Sequence, residues 1–263
     1  MAQVGISGSP SRIEGGIAVA LLEEPQLIYL PLWREAFCWI EGVRLKASPA
    51  YYGCGVPHGK GAPVIVIPGL LLCDLYLLEM RLWLRRIGYH AEASRIGINA
   101  ECPDILAARL LKTVDRACDK HGAKVHLIGH SLGGLIARGV AATVPEKVAS
   151  VITLASPFRG VRVNPFVNQA LTYLRKHVAR RRACPLIDCF SADCDCKFPR
   201  ALQSRFPSRI RQTAIYCKHD GVVDWETCLS GNPKSDFEVE GTHVGLVWNA
   251  AVYRIIAERL AGN

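Results

Sequence analysis

Three short runs of apolar residues, over 64–67, 125–128 and 148–154, constrain the fold of this chain most strongly. The first consists entirely of β-branched residues and is bounded by proline and glycine. Runs of this kind are typical of strands that are buried on both faces of a parallel sheet. Apolar residues with helical spacing fill 75–87, 103–120 and 132–142. This regular alternation predicts an α/β fold, with a mainly parallel central sheet and helices on both faces.

The alternation is interrupted by a long insert over about 158–211, before a further strand at 213–217. Asn164 and Pro165 form a good helix start, with an N-cap followed by proline at the first helical position. The apolar side of this predicted helix is formed by Phe166, Val167, Ala170, Leu171, Leu174 and Val178. A basic cluster overlaps its end and consists of Arg175, Lys176, Arg180, Arg181 and Arg182. We interpret the insert as a helical cap or lid on the main domain.

Residues 1–60 are interpreted as an N-terminal extension of a domain that covers 61–263. Residues 1–25 have little pattern, whereas the following segment has an apolar stripe at spacings of three and four residues, formed by Tyr29, Trp33, Phe37, Ile40 and Val43. A stripe like this usually packs into a core, so we expect the helix to pack against the main domain through it. The alternative is a helix that lies on a membrane surface or docks a partner.

The strongest chemical signal is the sequence Gly-His-Ser-Leu-Gly-Gly at 129–134. It follows a predicted buried strand and precedes a helical pattern. A sharp strand-to-helix turn at this point would lift the side chain of Ser131 above the sheet, and glycines two residues before and after it allow the backbone to crowd together. The helix N-terminus would then direct peptide N–H groups at negative charge forming near the serine.

With this motif the chain resembles the α/β-hydrolase superfamily, in its lipase and esterase branch, over roughly residues 60–260. The resemblance implies a catalytic triad in the chain order Ser, Asp, His, which is completed here by Asp220 and His243. Asp224 is the alternative acid. The resemblance also implies an oxyanion hole, which we assign to the backbone N–H groups of Leu70 and Leu132. Pro68 stands where the family usually has histidine, but the donor is a backbone amide.

These assignments predict a serine hydrolase that cleaves hydrophobic carboxylic esters through an acyl-enzyme. An acyltransferase, thioesterase, lactonase or polyester depolymerase could use the same triad. The non-enzyme alternatives are a ligand-binding member of the superfamily and a nucleic-acid-binding protein. The formal charge of +9, from 32 Lys and Arg against 23 Asp and Glu, permits the latter. No aromatic interleaving supports it, so no nucleic-acid partner is expected.

Neither a cofactor nor a metal ion is expected. Four cysteines crowd the insert, Cys184, Cys189, Cys194 and Cys196, but their spacing lacks the pairs of common zinc sites. Unpaired thiols, disulfides and a metal site remain alternatives for them. The N-terminus has no order of basic and then apolar residues, which leads us to expect a cytoplasmic protein that could still contact a lipid or polymer surface through its cap or N-terminal helix. Nothing in the sequence predicts its oligomeric state.

Overall fold

A computed structural model describes residues 26–160, 162–170, 172–173, 197–203 and 206–262. Its centre is a six-stranded sheet in which every neighbouring pair is parallel. In chain order the strands of this sheet are β2 (Pro63–Ile67), β3 (His90–Ala93), β4 (Val125–His130), β5 (Val148–Leu154), β7 (Arg211–Tyr216) and β8 (Asp236–Glu238). Their spatial order is β3-β2-β4-β5-β7-β8. A separate parallel pair joins β1 (Gln26–Leu27) to β6 (Arg162–Val163). The predicted parallel central sheet is confirmed.

Helices cover both faces of the sheet because alternate residues of the buried strands point to opposite sides. Val64 and Val66 of β2 belong to one core, whereas Ile65 and Ile67 belong to the other. The first core is packed by α2 (Leu78–Arg86) and by the C-terminal helix Ala250–Ala261, and the second by α3 (Pro103–His121) and α4 (Leu132–Thr143). The sequence therefore placed β2, β4, β5, β7 and the helices α2 to α4 within a few residues of their observed bounds.

The N-terminal stripe does not pack as expected. A 3₁₀-helix at Leu32–Phe37 leads into α1 (Cys38–Ala47), and the stripe residues are exposed to a large degree, Tyr29 by 93%, Trp33 by 69% and Val43 by 60%. The residues that α1 buries are Glu41 and Leu45. The prediction that the stripe is the packing face was wrong, because the opposite face carries a carboxylate whose hydrogen bonds offset its burial.

The insert is described only in part. Residues 165–170 and 172–173 are helical, and Asn164 Oδ1 accepts the Phe166 N–H at 3.0 Å, as expected of an N-cap. The basic cluster from Arg175 to Arg182 and the four cysteines at 184, 189, 194 and 196 lie outside the described residues. Within the described part of the chain, no helix is long and apolar enough to cross a membrane.

Candidate active site

Ser131 lies on a sharp turn between β4 and α4. Its backbone has φ 52° and ψ −126°, a region that side-chain-bearing residues rarely adopt. Such a conformation costs on the order of 1–3 kcal/mol and persists only where the surroundings enforce it. Here the Ser131 N–H donates to Leu154 O of the neighbouring strand at 2.8 Å, and the Gly134 N–H donates to Ser131 O at 2.9 Å. The serine is thus held at the carboxyl edge of the sheet, where ligands bind in open α/β sheets.

The turn depends on close backbone approach. A Cβ added to Gly133 would meet the carbonyl oxygens of Ile67 and Pro68, so the first turn of α4 packs directly on the end of β2. Gly129 packs in the same way against the backbone of Gly134. This contact brings the strand-to-helix turn next to the loop that follows β2.

The loop after β2 carries Leu70 and is anchored by a buried asparagine. Asn99 Nδ2 donates to Pro68 O, and the Leu71 N–H donates to Asn99 O, both at 2.8 Å. Leu71 has φ 62°, which turns the chain sharply after Leu70. Leu132 is the first residue of α4, and the first four N–H groups of an α-helix have no partner within the helix. Leu132 directly follows Ser131, and Gly69, which precedes Leu70, lies against Ser131, since a Cβ added to Gly69 would be 3.3 Å from Ser131 Cβ.

The structure brings Asp220, and not Asp224, to His243. Asp220 Oδ2 accepts a hydrogen bond from His243 Nδ1 at 2.7 Å, and the two residues are only 2% and 4% exposed. The other oxygen, Oδ1, accepts the N–H groups of Val222 and Val223 at 2.8 Å each. These three bonds fix the plane of the carboxylate and hold the histidine tautomer with its proton on Nδ1.

Asp224 has a different role. Its Oδ2 lies 2.6 Å from Nη1 of Arg162, and its Oδ1 accepts the Glu226 N–H at 3.2 Å at the start of the 3₁₀-helix Trp225–Cys228. The carboxylate is therefore engaged by an arginine and a helix start. The geometry therefore favours Asp220 over Asp224 as the acid partner of His243.

The environment of His243 favours the charged imidazole. Burial acts to lower the pKa of His243, but the charge of Asp220, its hydrogen bond and the charge of Glu35 outweigh burial and raise that pKa above its ordinary value. Perturbed pKa values cluster at functional sites, so the direction of this shift is consistent with a histidine that acts as a base. The two carboxylates that raise this pKa, those of Asp220 and Glu35, come from distant parts of the chain.

His130, which precedes the serine, links the strand-to-helix turn to the histidine. Its Nε2 donates to His243 O at 3.0 Å, and the centroids of the two rings are 4.9 Å apart. Burial and then the charge of His243 lower the pKa of His130 to about 3, so the ring is neutral. Because His130 is adjacent to Ser131, this contact brings His243 to the strand-to-helix turn.

Sequence reasoning missed several side chains of this region. Besides Asn99 and His130, they are Tyr76, Glu35 and Glu41, which all contact the loop of His243. The second position of the Gly-His-Ser motif was a signal for His130. The others follow no spacing or motif, because each contact joins segments that are far apart in the chain.

Nothing in the described part of the chain resembles a metal centre or a disulfide. No cluster of three or more His, Cys, Asp or Glu residues suited to a metal ion occurs there. The cysteines of the described ranges, which include the buried Cys217 and Cys228, form no disulfide with one another.

Comparison with known proteins identifies a hydrolase of the lipase and esterase class. A family model described as palmitoyl protein thioesterase matches residues 63–216. A triacylglycerol lipase of Burkholderia plantarii is 34% identical over 142 residues, which cover 49% of this chain and 39% of that protein. A triacylglycerol lipase of Pseudarthrobacter phenanthrenivorans is 36% identical over 121 residues, covering 41% of this chain and 37% of that protein. The chain thus spans less than two fifths of the length of each of these relatives.

Solved structures agree in fold. A Bacillus licheniformis lipase superimposes with a TM-score of 0.52 at 15% identity, covering 78% of this chain and 94% of that one. A structure described under two metagenome-derived lipolytic enzymes gives a TM-score of 0.54 at 14% identity, with the same coverage of 78% and 94%. At this level of identity the likeness concerns the fold alone.

Proposed function

The chain belongs to the palmitoyl protein thioesterase family, within the lipase and esterase branch of the α/β-hydrolase fold, and from this premise we propose that it hydrolyses carboxylic esters with Ser131 as nucleophile. His243 is the general base and Asp220 its acid partner. The observation that carries the proposal is the buried bond of 2.7 Å between Asp220 and His243, at the same sheet edge as the strained Ser131. Fold and family alone would support only the general class.

In the proposed reaction, Nε2 of His243 accepts the Ser131 hydroxyl proton as Oγ attacks the acyl carbonyl carbon. The imidazolium then donates that proton to the leaving alcohol oxygen, and the ester bond breaks to leave an acyl-serine. A water molecule, deprotonated by the same nitrogen, attacks the acyl carbon, and the imidazolium returns the proton to Ser131 Oγ as the acyl–serine bond breaks and the carboxylic acid leaves. Asp220 keeps Nδ1 protonated throughout and stabilises the imidazolium, in keeping with the raised pKa of His243.

The tetrahedral oxyanion is assigned to the N–H groups of Leu70 and Leu132. Support comes from Leu132 directly following Ser131, and from the packing of Gly69, the residue before Leu70, against Ser131 in a loop that Asn99 anchors. Preorganised donors of this kind are each worth about two to three orders of magnitude in rate.

The test is the variant Ser131→Ala. We expect it to lose p-nitrophenyl ester turnover and fluorophosphonate labelling, while its denaturant unfolding curve stays cooperative. A folded Ser131→Ala protein that still becomes labelled would refute the assignment of the nucleophile.

The substrate class proposed is an ester with a hydrophobic acyl group. The relatives named above are triacylglycerol lipases, and large apolar side chains are exposed in the segment after β2, at Leu71 and Leu75, and in the insert, at Phe166. A p-nitrophenyl series of increasing acyl length tests this, since kcat/KM is expected to rise with chain length. A preference for acetate would contradict it.

Thioester hydrolysis is the second candidate, favoured by the family whose model the chain matches. The same triad serves both, because attack at the acyl carbon is identical and only the leaving group differs. A matched oxygen ester and thioester with one acyl group separate the two, and the larger kcat/KM identifies the preferred leaving group.

A further inference from the structure

The loop that carries His243, residues 241–244, has no regular secondary structure, yet its backbone from Thr242 to Val244 is held by hydrogen bonds. It lies between β8 and the 3₁₀-helix Gly245–Trp248. The three successive N–H groups of Thr242, His243 and Val244 all donate to carboxylates from residues 35–41, with distances of 2.9, 2.9 and 2.8 Å. Buried backbone donors must find partners, and here the N-terminal segment supplies them.

Glu35 contacts both loops of the proposed acid–base pair. Its Oε1 accepts the His243 N–H at 2.9 Å and the Gly221 N–H at 3.0 Å, and its Oε2 accepts the Val244 N–H at 2.8 Å. Gly221 directly follows Asp220. One carboxylate therefore ties the backbone beside the acid to the backbone of the base.

Glu41 holds the start of the same loop. It is 8% exposed, and its carboxylate accepts the N–H and the hydroxyl of Thr242 on Oε1 and the amide of Asn249 on Oε2, the last at 3.1 Å. A Cβ at Gly245 would collide with this carboxylate. Burial, partly offset by the bonds from Thr242 and Asn249, raises the pKa of Glu41.

The carbonyl side of the loop is fixed from the main domain. His130 Nε2 donates to His243 O at 3.0 Å, and the Tyr76 hydroxyl donates to Val244 O at 2.9 Å. The histidine thus sits between a carboxylate clamp on its N–H side and two rings on its C=O side. Small displacements of such a group are costly, since a misplacement of about 1 Å can lower a rate by about a hundredfold.

We propose that Glu35 is a positioning residue for the hydrolytic reaction, fixing His243 relative to Asp220 through their backbones, with Glu41 holding the base of the same loop. This inference rests on the proposed function, because it assigns the N-terminal segment a part in that site. Glu35 touches no reacting atom.

The experiment compares Glu35→Gln with Glu240→Gln in the full chain. Glutamine preserves shape but turns an NH₂ group toward a backbone N–H that needs an acceptor. Glu240 is the matched control, since its exposed carboxylate pairs with His219 and makes no bond to residues 241–244. With p-nitrophenyl esters, we expect Glu35→Gln to lower kcat by about ten- to a hundredfold with KM nearly unchanged, and Glu240→Gln to match the wild type.

The pH profile supplies a readout that a purely structural role would not move. The groups that face His243 or its loop are Asp220 after β7, His130 at the end of β4, Tyr76 before α2, Glu35, and Glu41 on α1. Removing the charge of Glu35 shifts the acid limb of kcat/KM to lower pH, since that carboxylate favours the imidazolium. An acid limb that stays at the wild-type pH, together with wild-type kcat, would overturn the proposal.

Two further measurements separate the possible failures. Glu35→Asp retains the charge but is one methylene too short to join both loops, so we expect it to lower kcat while keeping the acid limb in place. If Glu35→Gln and Glu35→Asp both lose cooperative unfolding, the carboxylate is a requirement of the fold and the proposal fails. Ser131→Ala tests the nucleophile independently. If Ser131→Ala loses fluorophosphonate labelling while Glu35→Gln keeps the wild-type kcat and acid limb, only the present inference is refuted.

Discussion

The variants Asp220→Asn and Asp224→Asn distinguish the two carboxylates of the segment that follows β7. Asp220 accepts one hydrogen bond from His243 on Oδ2 and two backbone N–H groups on Oδ1. An asparagine has one acceptor oxygen, which the two backbone donors will hold, and so its NH₂ group will face Nδ1. His243 must then adopt the tautomer with its proton on Nε2, which cannot accept a proton from Ser131.

The expected loss is large because the wrong tautomer blocks the chemical step. An equivalent change in a Ser-His-Asp site lowers kcat by about 10⁴-fold, which corresponds to about 5 kcal/mol of barrier. We expect a loss of that order in kcat/KM for Asp220→Asn, with KM little changed. Burst kinetics with p-nitrophenyl esters measure it, and circular dichroism verifies the fold.

Asp224→Asn is the control, because it makes the same chemical change four residues away from Asp220. It keeps the oxygen that caps the 3₁₀-helix but loses the ion pair between the buried Asp224 and the partly exposed Arg162, which we expect to lower the free energy of unfolding without changing the contacts of His243. Its activity is expected to match the wild type. Equal losses in both variants, or a wild-type rate in Asp220→Asn, would refute the reasoning.

Two further predictions concern the base and the strand-to-helix turn. Since the pKa of His243 is raised above 6.5 and only the neutral imidazole can accept the serine proton, kcat/KM should fall on acidification with a midpoint above pH 6.5; a profile that stays flat down to pH 6 would contradict this. Gly133→Ala should lower the free energy of unfolding by at least about 1–3 kcal/mol, because the new methyl group meets fixed carbonyl oxygens. Gly42→Ala in α1, whose nearest neighbour would be Trp248 Cβ at 4.0 Å, should leave it unchanged or raise it by up to about 1 kcal/mol. Urea unfolding compares the two glycine variants, and equal stability would count against the packing argument.

The sequence predicted those parts of the molecule that depend on local patterns. The buried strands and the helices from α2 to α4 follow from apolar periodicity, and the turn at Ser131 follows from small residues between a strand and a helix. Asp220 and His243 were reachable because the fold imposes a chain order, and one histidine follows the acid. Their bond of 2.7 Å agrees with that order.

The missed parts depend on contacts between distant segments. Glu35 and His243 are separated by 208 positions, so no window of sequence contains both. The error at the apolar stripe has the same origin. Periodicity indicates that a helix has two faces, but it does not determine which face the rest of the chain covers, and α1 buries Glu41 because Thr242 and Asn249 satisfy it.

The clamp formed by Glu35 and Glu41 changes what counts as the smallest useful fragment of this protein. A boundary at residue 60 looks natural, since the sheet and every residue of the proposed triad lie after it. Expression from that boundary would nevertheless remove the carboxylates that accept the N–H groups of Gly221, Thr242, His243 and Val244. Truncations, fusions and grafts that aim to keep this site intact should therefore begin before Glu35.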